Sequence, residues 1–295
     1  MAKFAKSSTQ ATKAIARVQR AGALRSVGTQ RGYRDALVRA ADYARAERIV
    51  GGLYAMTRDQ VITYLETRAQ IVGQKTLDLD RQAAQIFLRT TGALQPSERL
   101  PVIKSELDQA QGSRAYTRAQ VELVAQAQQV RNSLSTQLAH AAGLRAHELF
   151  TLRPIAERQP DPRPSLPEKF SGREPGVPYT VTGKGGLTRE IRLPQGLAEK
   201  LEARRLQTPI SVTDRGVHYA QRYDIGGGHT WSQSYSSAST RALGWSTGAH
   251  GVRHTYAQSR MRELQNSGLM RDAALRVVSQ EMGHFRPEIT EVYLR

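Results

Sequence analysis

Residues 248–255 read Gly-Ala-His-Gly-Val-Arg-His-Thr. At the spacing i, i+3 and i+4, His250, Arg253 and His254 share one face of a helix. Such a cationic face suits a phosphate group, because a guanidinium can bond two phosphate oxygens at once. Two histidines four residues apart can also bind zinc. However, a metalloprotease helix carries Glu directly after its first His, and Gly251 stands there. The segment therefore favours a phosphate site over a zinc site.

A second segment, residues 282–293, reads Met-Gly-His-Phe-Arg-Pro-Glu-Ile-Thr-Glu-Val-Tyr. Gly283 is typical of a helix end and Pro287 of a new helix start, so the sequence predicts His284 at an exposed junction. Tyr293 is expected to follow on a short helix. A lone tyrosine is usually a packed amphipathic residue. A functional interpretation of Tyr293 therefore depends on the groups that surround it.

A third segment, residues 142–149, reads Ala-Gly-Leu-Arg-Ala-His-Glu-Leu. Gly143 can end one helix, which would place Arg145 at the start of the next. Glu148 would then lie one turn later on the same face, where its carboxylate can orient the guanidinium. An ordinary surface ion pair is the alternative interpretation.

Residues 180–193 show the alternation of a β-hairpin. Its turn, residues 182–186, reads Thr-Gly-Lys-Gly-Gly. Glycines on both sides would lift Lys184 away from the sheet and into a groove. The P-loop pattern GxxxxGK[ST] is absent. A basic hairpin tip that contacts phosphate is the simpler alternative.

The composition points to an anionic partner. Lys and Arg number 43 against 26 acidic residues, which gives a formal net charge of +17. A surplus of this size favours nucleic acid. The chain has no cysteine, which excludes disulfides, thiolate zinc sites and a cysteine nucleophile. It contains no apolar run of roughly 18 residues and no apolar N-terminal stretch typical of a secretion signal, so we expect a cytoplasmic protein without a membrane partner.

The sequence predicts three parts. Residues 1–27 carry Lys and Arg but no acid, and are interpreted as a flexible or partly helical arm along DNA phosphates, or else as a solvated tail. Residues 28–112 have the apolar spacing of a small helical bundle. Residues 113–295 are expected to be mostly helical with a small sheet. Within this last part, the long segment 208–248 is expected to be a packed insertion, with contact to DNA or to a partner subunit as the alternative.

The four motifs, in this order, resemble the tyrosine recombinase (phage integrase) family. The family pattern runs Arg, a β-hairpin Lys, His-x-x-Arg, Gly-His or Gly-Trp, and then Tyr; here Tyr293 follows His284 by nine positions. The resemblance covers residues 117–293. It implies a mainly α fold with a small β-sheet, in which an N-terminal helical core-binding domain precedes an α+β catalytic domain.

The resemblance also implies an activity. DNA would be cut and rejoined through a 3′-phosphotyrosyl bond, with neither metal nor ATP required. Tyr293 would attack the phosphate and Lys184 would protonate the departing 5′-oxygen. His250 would help to move the phenol proton, and Glu148 would buttress the site. The remaining members would bind the non-bridging oxygens; they are Arg145, Arg253 and His284.

The partners implied are double-stranded DNA and further copies of the chain, as a homo-tetramer on DNA. Only Leu294 and Arg295 follow Tyr293, fewer residues than the family tail that docks onto a neighbouring subunit. The main hypothesis is a site-specific recombinase or integrase of a mobile element. The alternatives are type IB topoisomerase-like relaxation of DNA and a catalytically silent DNA-binding protein.

Overall fold

The computed structural model describes residues 5–24, 26–108, 112–173 and 175–295. The chain divides into two compact units, Met1–Ala110 and Gln111–Arg295. As the sequence predicts, the described residues are mainly helical with small antiparallel sheets. Within this part of the chain, no helix combines the length and the apolar character that crossing a bilayer requires.

The first unit is a helical bundle around one apolar core. Thr57 caps its third helix through a capping box with Gln60. A 3-10 turn covers Gly52–Ala55. The α-helices are α1 (Ser7–Arg20), α2 (Val27–Ala46), α3 (Arg58–Ala69) and α4 (Gln74–Thr91).

The N-terminal segment differs from the arm that the sequence predicts. Residues 7–20 form α1, and Ala11, Ala14, Ile15 and Val18 are buried in the core of the first unit. Their spacing of three and four residues gives the helix one apolar face that packing can bury. Lys3 and Arg25, which belong to the predicted arm, lie outside the described residues. Contact with DNA phosphates stays a prediction.

The second unit is built around helices that pack on a small sheet. Strands β1 (Arg153–Pro154), β2 (Gly176–Thr182) and β3 (Thr188–Pro194) form one antiparallel sheet in the order β1-β2-β3. The pair β2–β3 is the predicted hairpin, in register at Thr182 and Thr188. The α-helices of this unit are α5 (Arg118–Gln126), α6 (Val130–Ala142), α7 (Gln195–Glu202), α8 (Gly228–Leu243), α9 (His250–Asn266), α10 (Arg271–Glu281) and α11 (Pro287–Glu291).

A second hairpin, which the sequence analysis does not predict, spans residues 205–223 and so overlaps the start of the segment 208–248. Strands β4 (Arg205–Asp214) and β5 (Val217–Tyr223) form a two-stranded antiparallel sheet. Most of β4 is exposed, so its sequence lacks the apolar alternation of a half-buried strand. Arg215 and Gly216 both have positive φ at the turn, as in a type I′ turn, where Asn-Gly is the usual signal. Because Arg-Gly stands at this turn, the sequence lacks the usual signal for the hairpin.

Candidate active site

Glu148 lies at the centre of a buried cluster of charges. It is 0% exposed, and its Oε1 accepts a hydrogen bond from Arg145 Nη1 at 2.8 Å. Its Oε2 accepts from the Arg145 backbone N–H at 2.8 Å and from Arg189 Nη2 at 3.0 Å. Arg253 Nη1 is 3.9 Å from Oε2. We call these four residues the Glu148 cluster.

The charge of Glu148 depends on the cluster. Burial by itself raises the pKa of this carboxyl, but the guanidiniums of Arg189, Arg253 and Arg145 outweigh burial and hold the pKa at about 2. Glu148 is therefore ionised at neutral pH and can fix Arg145 in one orientation. The local structure differs from the predicted α-helix start, because Glu148–Thr151 is a 3-10 helix and Arg145 lies in the turn before it.

Arg253 is held by backbone carbonyls at the ends of two helices. It is 0% exposed on α9, where Nη1 donates to the carbonyl of Gly143 and Nη2 to that of Met282, the latter at 2.6 Å. Gly143 ends α6 with φ of 59°, a left-handed conformation that glycine adopts without strain. These carbonyls carry no net charge, and the single carboxylate of Glu148 is shared by three guanidiniums, so the cluster keeps a net positive charge.

His284 follows Gly283, which has φ of 72°. Its Nε2 lies 3.0 Å from Arg253 Nη2 and its Nδ1 lies 2.9 Å from Thr290 Oγ1. Because arginine can only donate, Nε2 is the acceptor and the proton is assigned to Nδ1. Burial, followed by the charge of Arg253, lowers the pKa of His284 to about 3. The imidazole is neutral and half-buried, rather than at the exposed junction that the sequence predicts.

Tyr293 lies against three imidazoles. The distances between ring centroids are 4.7 Å to His254, 5.1 Å to His284 and 5.3 Å to His250. The tyrosine is 9% exposed, and its backbone carbonyl accepts a hydrogen bond from Gln258 Nε2 at 3.3 Å. His254 and Gln258 follow His250 at intervals of four residues along α9. One face of α9 therefore touches both the ring and the backbone of Tyr293.

The imidazoles of α9 also have lowered pKa values. His250 is exposed at the first turn of α9, yet desolvation by neighbouring protein atoms and the charge of Arg253 lower its pKa to about 4. Burial and the charge of Arg114 lower the pKa of His254 to about 4. Both rings are neutral at pH 7, so each has a nitrogen that can accept a proton.

Lys184 stands apart from these groups. It is exposed at the tip of the β2–β3 hairpin, and no hydrogen bond or ion pair joins it to another described residue. The base of its turn is near the Glu148 cluster, because a Cβ on Gly183 would lie 3.4 Å from Glu148 Oε1 and 3.8 Å from Arg145 Nη1. The structure thus brings the hairpin to the cluster but leaves the ammonium outside it.

Five of the six candidate catalytic residues, and Glu148, meet in one place. Sequence reasoning missed Arg189, although a signal for it exists. Arg189 shares the strand parity of Ile191 and Leu193, which are buried, so strand alternation predicts that its side chain also points inward. Within the ranges that the structure describes, no group of three or more His, Cys, Asp or Glu side chains could hold a metal ion.

No protein-family model matches the sequence, and no curated protein matches it. Solved structures do match. The XerH site-specific recombinase bound to palindromic difH substrate is 13% identical, with a TM-score of 0.58 over 90% of this chain and 76% of that one. A lambda integrase dimer bound to a COC′ core site is 14% identical, with a TM-score of 0.58 over 95% and 76%. Identities this low establish the fold alone: the chain has the fold of the tyrosine recombinases.

Proposed function

We propose that this chain is a site-specific DNA recombinase or integrase, which cuts and rejoins double-stranded DNA through a 3′-phosphotyrosyl intermediate. One observation carries the proposal. The ring of Tyr293 lies beside Arg253, whose guanidinium carbon is 5.5 Å from the ring centroid and which belongs to a cluster with net positive charge. A phosphate placed there would meet a nucleophile and a cation together.

The chemistry follows from the groups present. The Tyr293 oxygen attacks phosphorus, the bond from phosphorus to the 5′-oxygen breaks, and the phosphotyrosyl ester forms. Arg145 and Arg253 stabilise the charge that develops on the non-bridging oxygens. A neutral imidazole of α9, proposed to be that of His250, takes the phenol proton. Attack by a 5′-hydroxyl of another strand reverses these steps and rejoins the DNA.

Two roles require movement from the observed arrangement. Lys184 must fold its exposed side chain over the bound phosphate before it can protonate the leaving 5′-oxygen. His284 accepts from Arg253 at Nε2, so it must change its tautomer or gain a proton before it can donate from that nitrogen to a phosphate oxygen. A bound phosphate favours that proton, because a nearby negative charge raises the pKa of an imidazole.

The partner, the assembly, the origin and the location of the protein are also proposed. The net charge of +17 suits a DNA partner. We propose a homo-tetramer on DNA as the assembly and the cytoplasm as the location. We also propose that the recombinase is that of a mobile element.

Trapping of the covalent intermediate tests the proposal. The probe is a library of DNA duplexes with randomised cores and a nick in one strand, incubated with the protein and a chelator. We expect a denaturation-resistant protein–DNA adduct whose DNA is joined to the peptide that contains Tyr293. Sequencing of the trapped DNA would define the target site.

Two variants complete this test. Tyr293→Phe is expected to form no adduct and to bind DNA as before. Tyr219→Phe is the matched control, because it removes a phenol hydroxyl on β5 of the same unit, where the ring packs on Phe150. An adduct in Tyr293→Phe, or none in the unmodified chain, would contradict the proposed function.

A further inference from the structure

Arg189 is a buried arginine that connects two parts of the site. It lies on β3 and is 4% exposed. Its Nη2 donates to Glu148 Oε2 at 3.0 Å, and its Nε donates to the backbone carbonyl of Glu281 at 3.0 Å. Its Nη1 is buried without a hydrogen-bond partner among the described residues. Because Nη1 makes no bond to these residues, the hydrogen bonds from Nη2 and Nε are the polar contacts that hold the guanidinium.

The two acceptors belong to different functional elements. Glu148 holds Arg145 through two hydrogen bonds. Glu281 is the last residue of α10, and the turn after it carries His284. The stem of Arg189 also packs on this turn, because a Cβ on Gly283 would lie 2.8 Å from Arg189 Cδ. Arg189 therefore contacts Glu148, which orients Arg145, and also the backbone of the turn that carries His284. Arg145 and His284 are both proposed phosphate ligands.

We propose that Arg189 is a positioning residue, which places Glu148 and the His284 turn relative to each other and so aligns Arg145 and His284 on one phosphate. This inference rests on the proposed function for its consequence in catalysis. Arg189 itself donates to Glu148 and to the Glu281 carbonyl, so it acts through these neighbours and not on the phosphate.

The geometry calls for arginine at this position. The two bonds leave the guanidinium from different nitrogens toward a side chain and a backbone carbonyl, and its planar fork fixes the angle between them. A lysine ammonium keeps the charge that Glu148 needs, but it is a point charge on a flexible stem. Arg189→Lys should therefore preserve the charge balance and lose the fixed geometry.

Arg260 provides a matched control. It is 1% exposed and pairs with a buried carboxylate in the same unit, with Nη2 at 2.9 Å from Glu281 Oε1. It makes no hydrogen bond or ion pair with Glu148, Arg145 or His284. Arg260→Lys disturbs a buried arginine–glutamate pair to a similar degree without touching the Glu148 cluster.

The experiment compares Arg189→Lys and Arg260→Lys by three measurements: DNA affinity, adduct formation at saturating nicked duplex, and hydrogen exchange of backbone amides in residues 282–290. For Arg189→Lys we expect unchanged DNA affinity and faster exchange of the amides in residues 282–290. We expect cleavage to slow by about 10- to 100-fold, the usual loss when a residue that orients a functional side chain is replaced. Rates are compared per folded molecule and well below the melting temperature. Arg189→Gln, which keeps one donor group at the same depth, replaces the lysine variant if that variant does not fold.

The results for the two variants test the positioning role of Arg189 separately from the proposed function. Cleavage by Arg189→Lys at the unmodified rate, or an equal slowing in Arg260→Lys, would overturn the inference and leave the proposed function intact. If the unmodified chain forms no adduct, the proposed function fails and the exchange comparison alone decides. Equal exchange of residues 282–290 in the two variants would then contradict the inference that Arg189 positions this turn.

Discussion

Arg253 and Tyr293 lie together within one chain, with the guanidinium carbon of Arg253 5.5 Å from the ring centroid of the tyrosine. Arg253 is on α9, and Tyr293 follows the short helix α11. Gln258 holds the Tyr293 carbonyl from the same face of α9 that contacts its ring. A single copy of the chain therefore brings the proposed nucleophile and the guanidinium of Arg253 together.

Loss of Arg145 should slow cleavage more than it weakens binding. Its side chain is 26% exposed, so Arg145→Ala should fold. We expect the cleavage rate at saturating DNA to fall by roughly 10²–10³, the usual effect of one preorganised donor. Arg118→Ala, at a side chain that is 82% exposed on α5, is the control. Equal losses in affinity and rate would argue against the assigned role. Arg253→Ala should slow cleavage similarly and also destabilise the fold.

Glu148 should make stability depend on pH. Its pKa in the folded chain is about 2, against an ordinary value of 4.5. A lowered carboxyl pKa stabilises the fold above pH 4.5, and this contribution is lost as pH falls toward 2. The shift corresponds to about 3 kcal/mol in the free energy of unfolding.

Urea unfolding of the unmodified chain and of Glu148→Gln would measure this contribution. We expect the variant to be less stable at pH 7, with the difference shrinking toward pH 3. A difference that stays constant across this range would show that the Glu148 charge is not the cause.

The imidazoles around Tyr293 should remain neutral in mildly acidic solution. Burial lowers the pKa of His284 to about 3 and that of His254 to about 4. A proton therefore binds these rings only well below the ordinary value of 6.5. In an NMR titration of the DNA-free protein, we expect their ring signals to stay constant from pH 8 to about 5.5. His284→Gln and His254→Gln would assign the signals, and a midpoint near 6.5 for either ring would contradict this prediction.

Gly143→Ala should damage both the fold and the site. Gly143 has φ of 59°, and an added Cβ would lie 2.5 Å from Tyr256 Cδ1. Its carbonyl also holds Arg253. Gly92→Ala is the control, because Gly92 ends α4 with φ of 82° and has no atom within 4 Å of the added Cβ. Backbone strain is present in both variants and costs about 1 kcal/mol or more. We expect a larger loss in melting temperature for Gly143→Ala and, for it alone, slower cleavage; equal losses would mean that the contact is unimportant.

DNA binding should weaken steeply with salt. A chain with a net charge of +17 that binds phosphates releases condensed cations from DNA, so the logarithm of its affinity should fall linearly with the logarithm of salt concentration. Fluorescence anisotropy with a labelled duplex measures the slope. A DNA affinity that does not change with salt concentration would show that the positive charge of the chain does not drive DNA binding.

The sequence by itself determined the local geometry. The helical period places His250, Arg253 and His254 on one face of α9, and strand alternation with a glycine turn defines the hairpin that carries Lys184. Capping residues such as Thr57 mark helix starts, because their side chains bond backbone groups only a few positions away. All of these relationships lie within one helix, strand pair or turn, so spacing alone reveals them.

Only the tertiary structure decided which groups meet. Arg145, Arg189 and Arg253 converge on Glu148 from a turn, a strand and a helix that are distant in sequence. Packing also buried α1 in the first unit and left β4–β5 as a hairpin with an exposed strand. Such contacts depend on which apolar faces cover one another, and residue spacing does not encode that choice. The site therefore requires the fold of the second unit as a whole.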